Sequence, residues 1–399
     1  MLFRSVTYRV MVDETTTPPG TAQTFDPDGP PGPLVPRDGM TEVDLAPGES
    51  FLDANFGYAG QATIGDRIWW DVDGDGTDDV GEPGIPGIEV QVTWDGVDGI
   101  FGTPDDVPLL PVFTGADGAW SVVAVAAGNY EVVVVDRPVD LVPTFDFDGV
   151  ATPDMSATTI APSTDDLDQD FGYTGTAGLG DLVWVDVDGD GVVDPGEPPI
   201  PGAGVTLTWA GVDGLLDTAD DVALPEVVTD ADGLYGFTGL PAGTFRVAVT
   251  SGIPDGLIPV FDLDGSDDAV AEVALAEGEA RDDVDFGYLG AGVLGDLVWW
   301  DVDGDGTADP GEPGFPGVGV TVTWAGLDGT PGTADDVAYA ATTDPAGQWT
   351  VDRLPAGPFV VAVDRAGLPG GLVATFDPDG GDDDTAVVDL APAEANLDQ

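Results

Sequence analysis

IEVQVTW, residues 88–94, alternates strictly, with Val90, Val92 and Trp94 on one face and Gln91 and Thr93 on the other. A period of two is that of a half-buried strand. The pattern returns in VTLTW, ending at Trp209, and in VTVTW, ending at Trp324. A second run reads NYEVVVVD from Asn129, TFRVAVT from Thr244 and PFVVAVD from Pro358, and it turns Tyr130, Val132 and Val134 inward in its first copy. AAG or LPAG precedes each copy as a turn signal. Runs of this kind between Gly and Asp turns amount to about seven strands per unit, which predicts a small antiparallel sandwich. The 59 glycines and 35 prolines cluster between the runs, where tight turns need them and helices do not form.

The units are copies of one another. GDRIWWDVDGDG begins at Gly65, GDLVWVDVDGDG at Gly180 and GDLVWWDVDGDG at Gly295, an interval of 115 residues both times. NFGY at Asn55, DFGY at Asp170 and DFGY at Asp285 keep the same spacing. Self-similarity on this scale implies tandem domains, each long enough for its own core. The expected boundaries are 61–175, 176–290 and 291–399. Residues 1–60 are expected to be the second half of a further unit, because SVTYRVMVD and TFDPDG there match FVVAVD and TFDPDG near the other end. The last unit is expected to lack its final strand, since NLDQ closes the chain where DLDQ of the first repeat runs on into DFGY. Both ends read as cuts in a longer protein.

Between the strand ending RIWW and Pro83 lies DVDGDGTDDVGE, whose carboxylates fall at positions one, three, five, nine and twelve around a glycine at six. That is the spacing of an EF-hand calcium loop. The predicted ligands are Asp71, Asp73, Asp75, the Thr77 carbonyl, Asp79 and Glu82. In the second repeat they are Asp186, Asp188, Asp190, the Val192 carbonyl, Asp194 and Glu197, and in the third Asp301, Asp303, Asp305, the Thr307 carbonyl, Asp309 and Glu312. Alternate side chains converge when the chain coils round an ion, Gly76, Gly191 and Gly306 permit the sharp turn, and the glutamate closes the shell with both oxygens. The proline after each glutamate forbids an exiting helix. Position eight, usually a branched apolar residue that pairs with a second loop, is Asp78, Val193 or Ala308. The loop is therefore expected to fix local geometry without opening a groove.

A second acidic cluster follows each tryptophan-ending strand in GVDGIFGTPDD, GVDGLLDTADD and GLDGTPGTADD. It adds Asp98, Asp105 and Asp106, then Asp213, Asp220 and Asp221, then Asp328, Asp335 and Asp336 as candidate calcium ligands, against the alternative of a plain charged hairpin end. The TFDPDG, TFDFDG and VFDLDG turns, with Asp26 and Asp28, Asp146 and Asp148, Asp262 and Asp264, and Asp377 and Asp379, are left open between the same two readings. The tryptophans share a face with valine and leucine and read as core anchors.

Composition sharpens this picture. Against 76 acidic residues stand 9 basic ones, all arginine, for a formal charge of −67, while a hydrophobic content of 42% marks a folded chain. Without histidine, cysteine or lysine the usual nucleophile and base pairs cannot be assembled, and zinc loses its preferred ligands. Hard cations bound by oxygen remain. Binding to nucleic acid or to an anionic membrane surface is not expected of such a polyanion. No run of 18 apolar residues suggests membrane insertion, and MLFRSVTYRV lacks the apolar core of a signal peptide.

GDxVWxDxDGDGxxDxGEPGIPGxxV, GxDGxxGTxDD, LPAGxFxVxV and DFGY together resemble the calcium-binding B-type repeats of serine-aspartate repeat surface proteins, the SdrD B-like domain, over nearly all of residues 61–399. The resemblance implies a prealbumin-like sandwich related to the collagen-adhesin B domain, bound calcium, and a stalk that projects a ligand-binding head from a bacterial surface. Collagen-adhesin B domains often carry a lysine–asparagine isopeptide bond, which a chain with no lysine cannot form. The first repeat also departs from the pattern with VAVAAGNY where LPAG is expected. The expectation is a non-enzymatic, extracellular, secreted or cell-surface spacer stiffened by calcium, its partners being calcium ions and its own neighbouring repeats. Host protein, matrix protein or glycan would be met through domains outside this segment. The alternative is a sandwich that itself binds glycan or matrix protein.

Overall fold

Each alternating run is a strand, because side chains of period two bury a single face only on a pleated chain. The computed structural model describes residues 6–28, 38–138, 140–381 and 384–397. The start of MLFRSVTYRV and the closing Asp398 and Gln399 of NLDQ lie outside the described residues. Among those described, the helical segments are two 3-10 turns, Glu14–Thr16 and Arg365–Gly367, so the all-β antiparallel expectation holds. No helix among them is long and apolar enough to cross a membrane.

In the first full repeat one sheet runs Met155–Ile160, Gly128–Val134, Glu89–Trp94, with the short strands Val107–Pro108 and Val112–Phe113 sharing the outer edge. The other runs Val142–Asp146, Phe171–Thr174, Ala62–Trp70, Ala119–Val125. All neighbours are antiparallel except Phe171–Thr174, which lies parallel to Ala62–Trp70 with Phe171 opposite Ile68 and Tyr173 opposite Trp70. The FGY motif thus locks the end of a repeat beside its beginning. The second repeat repeats this order, with Phe286–Gly290 parallel to Ala177–Val185. In the third, Val337–Thr342, Gly319–Trp324, Gly357–Val363 and Thr385–Leu390 form one sheet, and Gln348–Leu354, Gly292–Leu297 and Ala395–Asn396 the other. The N-terminal segment pairs Val6–Met11 with Met40–Leu45, and Thr21–Phe25 with Gly57–Gly60.

The inward residues form the core as the alternation requires. Val90, Val92, Tyr130, Val132 and Val134 are buried against Ile64, Ile68, Trp70, Phe171 and Tyr173 of the facing sheet. Trp209 and Trp324 are buried core anchors, whereas Trp94 is half-buried. The turn glycine leaves room for these indoles. A Cβ on Gly128 or Gly243 would stand 2.3 Å or 2.7 Å from the Nε1 of Trp94 or Trp209. VAVAAGNY keeps that glycine, and the departure in the first repeat changes the rest of the turn only.

A buried threonine recurs that the alternation does not reveal. The Thr114, Thr229 and Thr343 hydroxyls donate to the carbonyls of Ile85, Ile200 and Phe315 at 2.6–2.7 Å. They accept the amides of Ile88, Ala203 and Val318 at 2.9 Å. Each one ties the segment leaving the acidic loop to the sheet. Joints between repeats are equally tight. Gly60, Gly175 and Gly290 end the FGY strands, and a Cβ at any of them would come within 2.0 Å of the backbone of Val125 or Leu240 or Leu354 in the next repeat.

Thr229→Val keeps the shape and leaves the Ile200 carbonyl and Ala203 amide without their buried partner. A loss of about 1–3 kcal/mol is expected, read as a lower urea midpoint for the second repeat, and an unchanged midpoint would contradict it.

Candidate metal centre

Each acidic loop begins where a core strand ends. Asp71 follows Trp70 directly and is 0% exposed, as is Asp186 after Val185. Their amides donate to the Tyr173 and Tyr288 carbonyls at 2.8 Å, so the FGY strand sets the first position of the loop. Asp301, in the repeat whose described residues contain no such strand, is half-buried.

The position-one carboxylate organises the loop. Asp71 Oδ1 accepts the amides of Gly74 and Asp75 at 2.7 and 3.1 Å, and Oδ2 accepts that of Gly76 at 2.8 Å. Asp186 does the same with Gly189, Asp190 and Gly191 at 2.7, 3.2 and 3.0 Å. Asp301 takes the amides of Gly304 and Gly306 at 2.6 and 2.9 Å. At the far end Glu82 Oε1 and Oε2 accept the amides of Val72 and Asp79 at 2.7 and 3.1 Å. Glu197 and Glu312 repeat this with Val187 and Asp194, and with Val302 and Asp309. Burial pushes the Glu82 carboxyl above its ordinary value, against the lowering pull of the Asp79 and Val72 amides.

Carboxylate oxygens of Asp71, Asp73 and Glu82 lie within 4.8 Å of one another, as do those of Asp73, Asp75 and Asp79. Asp186, Asp188 and Glu197, and Asp188, Asp190 and Asp194, form the matching pair of triads. Like charges at that separation repel by about 1–3 kcal/mol per pair, depending on the local dielectric. A hard divalent cation removes the repulsion, and the set of oxygens is one that calcium takes. The positive φ expected at Gly76, Gly191 and Gly306 is present, at 79°, 75° and 76°. Gly74, Gly189 and Gly304, at position four, share it at 74–76°.

What replaces the exiting helix is a return. Trp70, Val185 and Trp300 donate their amides to the Pro83, Pro198 and Pro313 carbonyls at 2.8–2.9 Å, so the chain doubles back beside the strand it has just left. In the first repeat Arg67 closes the loop from outside. Its guanidinium pairs with Asp78 and donates to the Glu82 and Asp117 carbonyls. Sequence reasoning passed over Arg67, because the matching residues are Leu182 and Leu297.

The hairpin cluster is built differently. Asp105 Oδ2 accepts the amides of Val97 and Asp98 at 2.7 and 3.1 Å, and Oδ1 accepts the Thr103 hydroxyl at 2.7 Å. The Thr103 hydroxyl and the Asp98 and Val97 amides hold its carboxyl below the ordinary value. Asp220 with Asp213 and Thr218, and Asp335 with Asp328 and Thr333, repeat the pattern. Asp106, Asp221 and Asp336 accept the amides of Gly102, Asp217 and Gly332 at 2.7 Å. These carboxylates shape their own loop first. In the TFDFDG turn burial is the largest influence on Asp146 and pushes its carboxyl up to about 7.

Asp186→Asn keeps the side chain's shape while removing a charge and one of the two oxygens that accept the Gly189, Asp190 and Gly191 amides. Isothermal calcium titration of the full chain is expected to show one binding event weakened about tenfold or more. An affinity profile identical to that of the unsubstituted chain would contradict a metal role for the loop.

The chain is similar to known proteins. The SdrD B-like domain profile matches residues 62–173, 177–288 and 292–398. Serine-aspartate repeat-containing protein D of Staphylococcus aureus (strain NCTC 8325 / PS 47) is 29% identical over 355 residues, 85% of this chain and 24% of that protein. Serine-aspartate repeat-containing protein F of Staphylococcus epidermidis is 28% identical over 366 residues, 87% of this chain and 19% of that protein. The chain thus spans about a quarter or less of the length of these relatives. Among solved structures, the Bacillus anthracis TIE protein is 13% identical, with a TM-score of 0.34 over 91% of this chain and 53% of that one. A streptococcal ancillary pilin is 12% identical, with a TM-score of 0.29 over 84% of this chain and 98% of that one. With three consecutive profile matches, each carrying the acidic loop and the hairpin just described, the chain belongs to the SdrD B-like domain family.

Proposed function

We propose that the chain is a calcium-binding, non-enzymatic spacer of an extracellular bacterial protein, built from modules at 61–175, 176–290 and 291–399 and a half-module at 1–60. The ions sit in the loops opened by Asp71, Asp186 and Asp301, with the ligands named from the spacing. The hairpins of Asp98, Asp213 and Asp328 form a second set of ligands. The observation that carries this reading is the buried position-one aspartate, whose oxygens draw three backbone amides inward while the neighbouring carboxylates converge within 4.8 Å. A chain with no histidine, cysteine or lysine lacks the usual nucleophile and base pairs.

Stiffness along the array follows from where the loops lie. Trp70, the residue before the first loop, donates its indole N–H to the Gly239 carbonyl of the next repeat at 2.8 Å and meets the Trp209 ring edge-on at 5.7 Å. At the following joint Arg353 donates to the Asp188 carbonyl, inside the second loop, at 2.8 Å. An ion that orders the loop therefore orders the joint too. Occupancy at 100 times the dissociation constant stabilises a module by about 2.7 kcal/mol per site.

Small-angle scattering of the chain in millimolar calcium and in chelator tests the spacer. The calcium form is expected to have a well-defined maximum dimension, and the chelated form a broader distance distribution. Identical distributions in the two conditions would contradict calcium stiffening.

A further inference from the structure

A serine and a glutamine face each other inside the first full repeat, at a place where the next repeat is apolar. Ser156 and Gln169 are both 0% exposed, and the Ser156 hydroxyl donates to Gln169 Oε1 at 2.6 Å. One interval of 115 residues further on, the same two positions hold Ala271 and Val284, likewise 0% exposed. The sandwich therefore closes over this spot without a polar pair. Withdrawing a hydroxyl and a carboxamide from water costs free energy that a methyl and an isopropyl group do not, and one shared hydrogen bond offsets only part of it. Packing alone gives no reason for the pair.

Its surroundings are laid out for acyl transfer. Asp166 Oδ1 and Oδ2 accept from Gln169 Nε2 at 3.3 and 3.2 Å. A carboxylate cannot donate, so Asp166 fixes which end of the amide is nitrogen and turns the carbonyl toward Ser156. Thr158 orients that carboxylate in turn, its hydroxyl donating to Asp166 Oδ2 at 2.6 Å. The backbone is pinned as well, with the Asp166 amide on the Thr63 carbonyl at 2.8 Å and the Gln169 amide on the Gly65 carbonyl at 3.3 Å. A hydroxyl nucleophile, an acyl carbon and a carboxylate beside the leaving nitrogen are thus held together before any reaction begins.

We propose that Ser156 and Gln169 join in an internal ester cross-link. Ser156 Oγ adds to Gln169 Cδ, the carbon bonded to the oxygen that the hydroxyl already touches. The Cδ–Nε2 bond then breaks, the hydroxyl proton goes to the departing nitrogen beside Asp166, and one ammonia leaves. No oxidant or further reactant is consumed. Ser156 lies on Met155–Ile160, paired with Gly128–Val134, whereas Gln169 leads into Phe171–Thr174 of the facing sheet. The bond therefore ties the two sheets covalently, just ahead of the FGY strand that continues into the next repeat. Burial of both residues keeps water from the ester. No cation takes part, so the inference is independent of the calcium reading.

Intact-mass spectrometry of the full chain, denatured in chelator, tests the link. The unsubstituted chain is expected to be lighter than its sequence by one ammonia, and its protease digest to hold a joined pair of peptides carrying Ser156 and Gln169 that hydroxylamine separates. Ser156→Ala and Gln169→Ala are each expected to show no ammonia deficit, and Asp166→Asn to stay mostly unlinked. An unsubstituted chain at full sequence mass, with the two peptides separate, overturns the cross-link without any variant having to fold. An ammonia deficit that persists in Ser156→Ala overturns it equally, because the loss then lies elsewhere. Linkage of Asp166→Asn as complete as that of the unsubstituted chain overturns the part given to Asp166.

Discussion

Crowded negative charge is the constraint to which the rest of the molecule answers. With 76 acidic residues and 9 arginines, most carboxylates have no cationic side chain to meet. The described arginines on ion pairs are largely at the surface, where each pair contributes little. The carboxylates nevertheless gather in the loops, and Asp71 and Asp186 are placed out of water entirely. Backbone amides supply part of the compensation by turning inward onto the position-one oxygens. That folds the loop, but it leaves the net charge of the cluster in place. Under the proposed function a divalent ion makes the arrangement favourable, and calcium fits the hard oxygen set.

Connectivity carries the consequence outward. The loop starts on the strand that pairs in parallel with FGY, and FGY leads through Gly60, Gly175 or Gly290 into the following repeat. No side chain fits at those glycines, so the joint is a backbone-to-backbone contact with little freedom of its own. Trp70 and Arg353 then reach across, one to a carbonyl of the next repeat and the other back to a carbonyl inside the preceding loop. Repulsion between charged modules, acting over about 8 Å in physiological salt, opposes their folding back on one another.

Much of this was legible in the sequence. Alternation identified the strands around Val92, Leu207 and Val322, while the 115-residue period and the dodecapeptide spacing pointed to the proposed units and to the proposed ligands from Asp71 to Glu82. Each of those signals is local, written within a dozen residues or in exact recurrence. What escaped is long-range. Thr114 meets Ile85 and Ile88 across a hairpin, Arg67 reaches Asp78 through a doubling-back of the chain, and Trp70 meets Trp209 in another repeat. The FDxDG motif was visible, but its burial was not, because Asp-Gly turns ordinarily face solvent. Trp94 shows the opposite limit, sharing the pattern of Trp209 and Trp324 while remaining half-buried at the edge of its module.

The most direct measurement is thermal unfolding of the chain by calorimetry in millimolar calcium and in EDTA. Stabilisation of about 2.7 kcal/mol per occupied loop corresponds to a rise of about 10 °C in Tm for modules of this size. A calcium form melting that far above the chelated form is the expected result. Superimposable transitions in the two buffers would show that the loops hold their geometry without an ion, and would contradict calcium as the source of the modules' firmness.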